Sequence, residues 1–238
     1  MTDISPSIND HIDAAFYAKR QAEPKRNYLG ASLAGDECLR KLQFSYLHVP
    51  VDRQPAPNML RIWETGHVFE AAVGRWLIAA GFELDIIDSL SGGQFGWSIL
   101  NGEARGHVDG IIQSGPAPIG YPCLWECKAL NNKGWQDLKK NGLAISKPVY
   151  AGQLALNQAY MELHEHPALF TALNKDTSEL LHLLIPFDQG LAQRTSDKMV
   201  QVIESSKRQE LLPRAFNDET HYKCRFCDWN KKCWEMTR

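Results

Sequence analysis

Residues 124–130 read Leu124-Trp125-Glu126-Cys127-Lys128-Ala129-Leu130, LWECKAL, an apolar run with the length and composition of a strand. It nevertheless holds a carboxylate and an amine two positions apart. Side chains alternate across a strand, so Leu124, Glu126 and Lys128 share one face, and Cys123, Trp125 and Cys127 share the other. The spacing aims Glu126 and Lys128 at one point. An acid-x-Lys triplet is not a signature alone, since the chain repeats it at Glu23-x-Lys25 and Asp137-x-Lys139. An ion pair at a strand end is its simplest reading.

The neighbouring segments add two more acids. Ala104–Gln113 predicts a strand carrying Asp109 in apolar surroundings, followed by Gly110. A hairpin with the 124–130 strand would set Asp109 beside Glu126; otherwise Asp109 is a turn residue at a strand end. Two carboxylates at close range repel unless a cation lies between them, and hard cations such as Mg²⁺ and Mn²⁺ prefer oxygen ligands. Upstream, helical spacing from about Met59 to Ala80, closed by Gly81, places Glu70 four residues after Gly66 in ETGHVFEAAVGRWL. Its neighbours Phe69, Ala71, Ala72 and Val73 are an apolar setting for an acid. His67 beside it reads as a structural or phosphate-proximal residue ahead of a metal ligand.

The rest of the chain alternates helix and strand. Ser32 is a candidate N-cap for a helix to about Leu47, and VPVDRQPAPN reads as a loop. Segments Phe82–Asp88, Gln94–Leu100, Ala104–Gln113 and Tyr121–Leu130 predict a four-stranded meander. A short helix near 133–142 and a longer one over Val149–His164, opened by Pro148, follow. Strands at Ala168–Leu173 and Glu179–Phe187, a polar helix from about Gln189 to Arg208, and a Cys-rich tail complete the order.

A length of 238 residues fits one sizeable α/β domain with appendages, or two small ones. The 44% hydrophobic and 23% charged content is that of a soluble globular protein. No apolar run approaches the roughly 18–20 residues of a membrane span. MTDISPSINDHID lacks the order of a secretory signal, so a cytoplasmic location is expected, with no membrane partner. A net charge of −2 excludes a global nucleic-acid footprint and leaves only a local basic surface. Six cysteines in a reducing compartment read as metal or cluster ligands rather than disulfides.

In order, Gly66-x3-Glu70, Val108-Asp109-Gly110 and Glu126-Cys127-Lys128 resemble the active-site series of the PD-(D/E)XK nuclease superfamily, nearest its RecB-like and phage-exonuclease branch. A downstream glutamine is matched by Gln153 in VYAGQLALNQAYMEL. Where the family often has tyrosine four residues later this chain has Asn157, and Tyr160 comes three further on. The resemblance spans about residues 60–165. It implies a restriction-endonuclease-like α/β core, a mixed central sheet flanked by helices. It also implies phosphodiester hydrolysis with Mg²⁺ or Mn²⁺ held by Glu70, Asp109, Glu126 and the backbone carbonyl of Cys127. Lys128 would orient or deprotonate the attacking water or neutralise the phosphate, and Gln153 would complete the site.

The tail, HYKCRFCDWNKKCWEM, places Cys224-x2-Cys227-x5-Cys233 within ten residues, and Cys38 lies on the early helix. His221 is a weaker substitute ligand. Cys123 and Cys127 are about 13 Å apart along a strand, too far for a mutual disulfide, and read as core. One distant N-terminal cysteine with three C-terminal ones resembles the iron–sulphur subgroup of these nucleases, which includes the AddB nuclease domain and the CRISPR-associated Cas-four exonucleases. There a [4Fe–4S] cluster staples the chain ends, which implies Cys38, Cys224, Cys227 and Cys233 as its ligands. Zn²⁺ in a Cys₄ site is the alternative, because thiolate spacing does not separate the two.

Basic residues gather at Lys133, Lys139, Lys140 and Lys147, and at Lys223, Arg225, Lys231 and Lys232. Trp135, Phe226, Trp229 and Trp234 among them stack bases or, for the tail, pack around the metal centre. The expectation is a helical segment over 1–57, a nuclease core over 58–208 and a Cys-rich cap over 209–238. The expected activity is that of a DNA exonuclease on single strands or duplex ends, of a kind used in DNA repair or recombination. The rivals are a non-catalytic DNA-binding or assembly subunit and a zinc-stabilised protein–protein adaptor.

Overall fold

The computed structural model describes residues 2–236. Its elements run α1 Ser5–Ala22, β1 Leu29–Gly30, α2 Ala31–Ala34, α3 Leu39–Tyr46, α4 Pro57–Ala79, β2 Glu83–Asp85, β3 Gly96–Ile99, β4 Ala104–His107, β5 Gly110–Ser114 and β6 Cys123–Leu130. Then follow α5 Asn132–Ser146, α6 Pro148–Tyr160, β7 Ala168–Asn174, β8 Leu180–Ile185, α7 Gln189–Lys207, α8 Tyr222–Arg225 and α9 Asn230–Glu235.

Among the described residues these strands form a five-stranded sheet, β2-β5-β6-β7-β8, and a three-stranded one, β1-β4-β3. In the larger sheet β6 and β7 run parallel and the other pairs antiparallel. A parallel pair needs a crossover connection, and α5 and α6 provide it. Asn131 starts α5 by accepting from the Gly134 N–H at 2.8 Å. All seven residues of β7 are buried, as a central strand covered on both faces requires.

One face of the large sheet, with Trp125, Cys127, Leu169 and Leu173, lies under Val73 and Leu77 of α4. The other, with Leu124, Phe170 and Ala172, lies under Leu138 and Leu143 of α5 and Leu154 of α6. Each such side chain contributes about 1.5–3 kcal/mol when fully buried. Buried Trp125 pairs its polar edge, Nε1 donating to Thr171 Oγ1 at 3.1 Å. A third apolar cluster joins α2, α3, the small sheet and Met199, Val202 and Ile203 of α7.

Three features differ from expectation. The four segments after α4 do not form a meander: Ala104–Gln113 divides at Val108-Asp109. Its first half pairs with β1 and β3, and its second with β2 and β6. Alternation reports which face a residue takes, not which strand it pairs with, so the change of partner leaves no trace in the pattern. The helix expected over 32–47 breaks between Ala34 and Leu39. There Gly35 meets the backbone of α6, where a Cβ would stand 2.6 Å from Val149 Cα, and Asp36 turns the chain by accepting from the Cys38 N–H at 2.9 Å. Finally, the expected order has no helix before Ser32, whereas Ser5–Ala22 forms α1, with Pro6 in its first turn and Lys19 and Arg20 in its last as start and stop signals. This helix rests on α4 through a Lys19–Glu64 pair at 3.1 Å, and its Tyr17 hydroxyl donates to the Pro55 carbonyl, in the loop just before α4, at 2.8 Å.

The tail folds back on the chain's first quarter. Trp229 Nε1 donates to the Val49 carbonyl at 2.7 Å, and the Asp52 N–H donates to the Asp228 carbonyl at 2.8 Å. No helix among the described residues is long and apolar enough to cross a membrane.

Candidate active site and thiol cavity

β6 presents Glu126 and Lys128 on its Leu124 face, and their side chains touch, Lys128 Nζ against Glu126 Oε1. Gly110 pairs with Trp125, so Asp109 enters the site at the end of β5 opposite Glu126. Lys128 Nζ stands 3.7 Å from Asp109 Oδ2. That same oxygen accepts from the Cys127 N–H at 2.8 Å, fixing the carboxylate against β6. From α6, Gln153 Nε2 donates to Glu126 Oε1 at 2.8 Å. Glu70 arrives from α4, with His67 Nδ1 3.9 Å from its Oε2 and largely exposed.

Electrostatics bind these groups together. Glu126 is 1% exposed. Burial, then the charge of Asp109, pushes its carboxyl up to about 7 despite the Lys128 contact. The same two causes push Glu70 up to about 7. Burial pulls the Lys128 ammonium down, but Glu126 and Asp109 outweigh it and hold it above the ordinary lysine range. The Cys127 thiol is driven up by burial and then by Asp109, which keeps it a neutral core group. Asp109 and Glu126 thus contact one ammonium, and Glu70 lies close enough to feel the charge of Asp109, a cluster of hard oxygen donors. That donor set suits Mg²⁺ or Mn²⁺, although among the described residues no three His, Cys, Asp or Glu side chains stand in coordinating geometry.

Asn157, passed over in the sequence as a departure from the family pattern, is fully buried at this site. Its Nδ2 donates to the His107 carbonyl at 3.0 Å and reaches Glu126 Oε2 at 3.5 Å, while its Oδ1 accepts from Trp97 Nε1 at 2.9 Å. Its place four residues after Gln153, on the same helix face, was the available signal. Tyr160 instead stacks on Trp97 and bonds Ser196 Oγ at 2.6 Å, away from Glu126.

A second group of cations was also missed. Arg105 and Arg26 flank the Tyr28 ring at 4.9 and 6.0 Å. His107 is held below the ordinary imidazole range by burial and then by both guanidinium charges. Arg105 and His107 share a face of β4, which leads into Asp109 two residues on. In the expected basic stretches Lys133, Lys139, Lys140, Lys223, Arg225 and Lys231 are exposed, whereas most of the aromatics among them are not free. Trp135 is buried, with Nε1 donating to the Ala172 carbonyl at 3.0 Å, so it offers no face to a base. Lys223 pairs with Glu37, and Lys232 with Asp52 at 3.3 Å. Trp229 packs edge-on against Phe44, and Trp234 lies under Arg214, while Phe226 is exposed.

The six cysteines are free and fall into two sets. Cys123, pushed up to about 11 by burial, and Cys127 lie in the core under α4. Cys38, Cys224, Cys227 and Cys233 line one cavity of about 390 Å³ between α3 and the tail. Cys38 stands at the N-cap position of α3, and Cys224 and Cys233 on α8 and α9. Burial and the neighbouring thiols raise Cys224 above its ordinary value; burial does the same to Cys227. All four sulphur donors thus border one cavity, the soft donor set that zinc and iron–sulphur centres use, but among the described residues they do not stand in coordinating geometry. His221 stacks on Phe216 at 3.8 Å and is not among the lining residues.

No family model matches the chain, and no curated protein matches it. Solved structures do. SSO0001 is similar over 93% of this chain and 94% of its own, at 12% identity and a TM-score of 0.55. The alkaline exonuclease LHK-Exo from Laribacter hongkongensis is similar over 82% of this chain and 93% of its own, at 15% identity and a TM-score of 0.53. Its complex with dAMP gives 78% and 90%, 16% identity and the same TM-score of 0.53. These likenesses define the fold class: a mixed sheet flanked by helices. Within that class the chain shares the fold of an alkaline exonuclease.

Proposed function

We propose that the chain is a divalent-cation-dependent DNA nuclease of the RecB-like iron–sulphur branch, an exonuclease acting on single strands or DNA ends. The observation that carries this reading is the meeting of Asp109 and Glu126, from adjacent strands, with Lys128 and Gln153. The fold it shares with an exonuclease supports the same reading, as does that neighbour's complex with a nucleotide.

In this reading the three carboxylates and the Cys127 carbonyl hold Mg²⁺ or Mn²⁺. When bound, the ion supplies Lewis acidity and lowers the pKa of a water. Lys128 donates to that water or to the phosphoryl oxygens as charge builds on them. Gln153 and Asn157 hold Glu126 in one orientation, and Asp109 is pinned by the Cys127 N–H. Arg26 and Arg105, beside Tyr28 and, for Arg105, on the strand that leads to Asp109, offer positive charge to a nucleic-acid backbone that the net charge of −2 would otherwise repel.

Cys38, Cys224, Cys227 and Cys233 form a separate structural centre, a [4Fe–4S] cluster with Cys₄ zinc as the alternative. It joins the 209–238 cap to the 1–57 segment across the 58–208 core. Four free thiols suit a reducing, cytoplasmic setting.

The test is cleavage of end-labelled single- and double-stranded DNA with Mg²⁺, Mn²⁺ or EDTA. Expected is cation-dependent release of short products, lost in EDTA. Asp109→Ala or Lys128→Ala should lower it by about 10²-fold or more while DNA binding persists. Binding with no cation-dependent cleavage would leave the non-catalytic subunit as the reading.

A further inference from the structure

Arg40, on α3 two residues after Cys38, is 3% exposed. It lines the same cavity as the four cysteines. Its Nε donates to the Leu212 carbonyl at 2.7 Å, and its Nη1 reaches the carbonyl of Cys233 at 3.4 Å. Arg214 grips that same carbonyl from the other side, with Nη2 at 2.5 Å and Nε at 3.2 Å. Two guanidiniums thus close on the backbone of one candidate ligand.

Neither has a carboxylate partner among the described residues. The acids that line the neighbouring cavities are engaged elsewhere: Asp36 with Lys41 at 2.6 Å, Glu37 with Lys223, and Glu210 with Arg208 at 2.9 Å. Arginine stays charged inside a protein, and a buried charge facing only carbonyl dipoles is costly unless a counter-charge is close. Neutral thiols do not supply one. Four thiolates around a divalent metal, or around an iron–sulphur cluster, carry net negative charge and do.

We propose that Arg40 is the counter-charge of the thiol centre, a positioning residue that sets how tightly Cys38, Cys224, Cys227 and Cys233 take up metal. This rests on the four-cysteine reading above and is independent of the nuclease site. Loaded, the cavity pairs its charge with Arg40 and holds α3, the 212–214 strand of chain and α9 together. Metal-free, the same guanidinium is a buried cation without an anion.

Zn²⁺ is the probe, titrated into reduced, metal-free full-length protein against a chromophoric chelator, with thermal unfolding of the loaded and metal-free forms. Wild type is expected to bind Zn²⁺ stoichiometrically and Cys224→Ser to lose it. Arg40→Met should bind about 10–100-fold more weakly, whereas Arg40→Lys, which keeps the charge, stays within a few-fold of wild type. Metal-free Arg40→Met should melt no lower than metal-free wild type, because an unpaired charge has gone. Unchanged Zn²⁺ affinity in Arg40→Met overturns the proposal. So does an Arg40→Lys variant as weak as Arg40→Met, or a metal-free Arg40→Met that loses as much stability as the loaded one, which marks Arg40 as packing only. Failure of wild type itself to take up metal refutes the four-cysteine reading, and Arg40's role falls with it.

Discussion

Asn157 uses its whole side-chain amide: one donor on the His107 carbonyl, the other toward Glu126, and its oxygen on Trp97. Truncation would leave an indole N–H and a carbonyl unpaired in the interior, and each orphaned group costs about 1–3 kcal/mol. Asn157→Ala should therefore lower stability by about 2 kcal/mol or more in chemical denaturation, and a change under 0.5 kcal/mol would refute its bridging role. A second prediction concerns charge. Glu70 and Glu126 are both raised from 4.5 to about 7. A carboxylate raised on folding supports the fold while protonated, fully below its unfolded value, and that support is lost as pH rises through the folded value. Metal-free protein should lose stability between about pH 5 and 8, and Glu70→Gln should flatten the fall. Mn²⁺ should restore stability at the alkaline end. A flat melting profile in EDTA would show that the carboxylates do not repel. Glu126, Lys128 and Asp109 were legible in the sequence because strand alternation and one hairpin suffice to bring them together. Asn157 was not, because its task depends on where Trp97 and the His107 carbonyl lie, and those belong to another sheet.

Elements show a similar division. The α4 helix with its Gly81 stop, β6, the α5–α6 crossover, β7, β8 and α7 all follow from local periodicity and caps, and differ from expectation by a few residues at their ends. The failures lie where tertiary contacts decide. Helix periodicity runs through 32–47, yet the chain breaks at Gly35 because α6 passes too close for a side chain. The break sets Cys38 at the start of α3, facing the cavity. Gly35→Ala must push α6 away or distort the turn, since its Cβ would lie 2.6 Å from both Val149 Cα and the Val149 carbonyl oxygen. Overpacking of this kind costs about 1–3 kcal/mol. Because α6 also carries Gln153 and Asn157, the variant should weaken cation-dependent cleavage as well as stability. A variant that melts and cleaves like wild type would show that the α2–α6 contact yields freely. His182 and His107, both held below the ordinary imidazole range with burial as the leading cause, make acid a second stress on these elements.

At the scale of the whole molecule, the proposed thiol centre would close the chain on itself. Cys38 lies near the start, Cys224, Cys227 and Cys233 near the end, and the large sheet with its helices lies between them. Apart from that centre, the cap is held by Trp229 on Val49, the Asp52 bonds and a few ion pairs, mostly at the surface, where each pair contributes about 0–1 kcal/mol. A cross-link over so long a loop removes unfolded-state entropy equivalent to about 4–5 kcal/mol, more than the polar contacts of the cap supply. Stripping metal from the thiols, or substituting Cys224→Ser, should therefore lower Tm by roughly 8–20 °C in a domain of this size. Limited proteolysis should then cut within 209–221 before it reaches the core. Below the lowered Tm, Mg²⁺-dependent cleavage should persist, because Glu70, Asp109, Glu126 and Lys128 draw on α4 and the large sheet and on no residue of the cap. Loss of cleavage at a temperature where the stripped protein is still folded would mean that the thiol centre shapes the nuclease site directly. An unchanged Tm would mean that the cap docks without it.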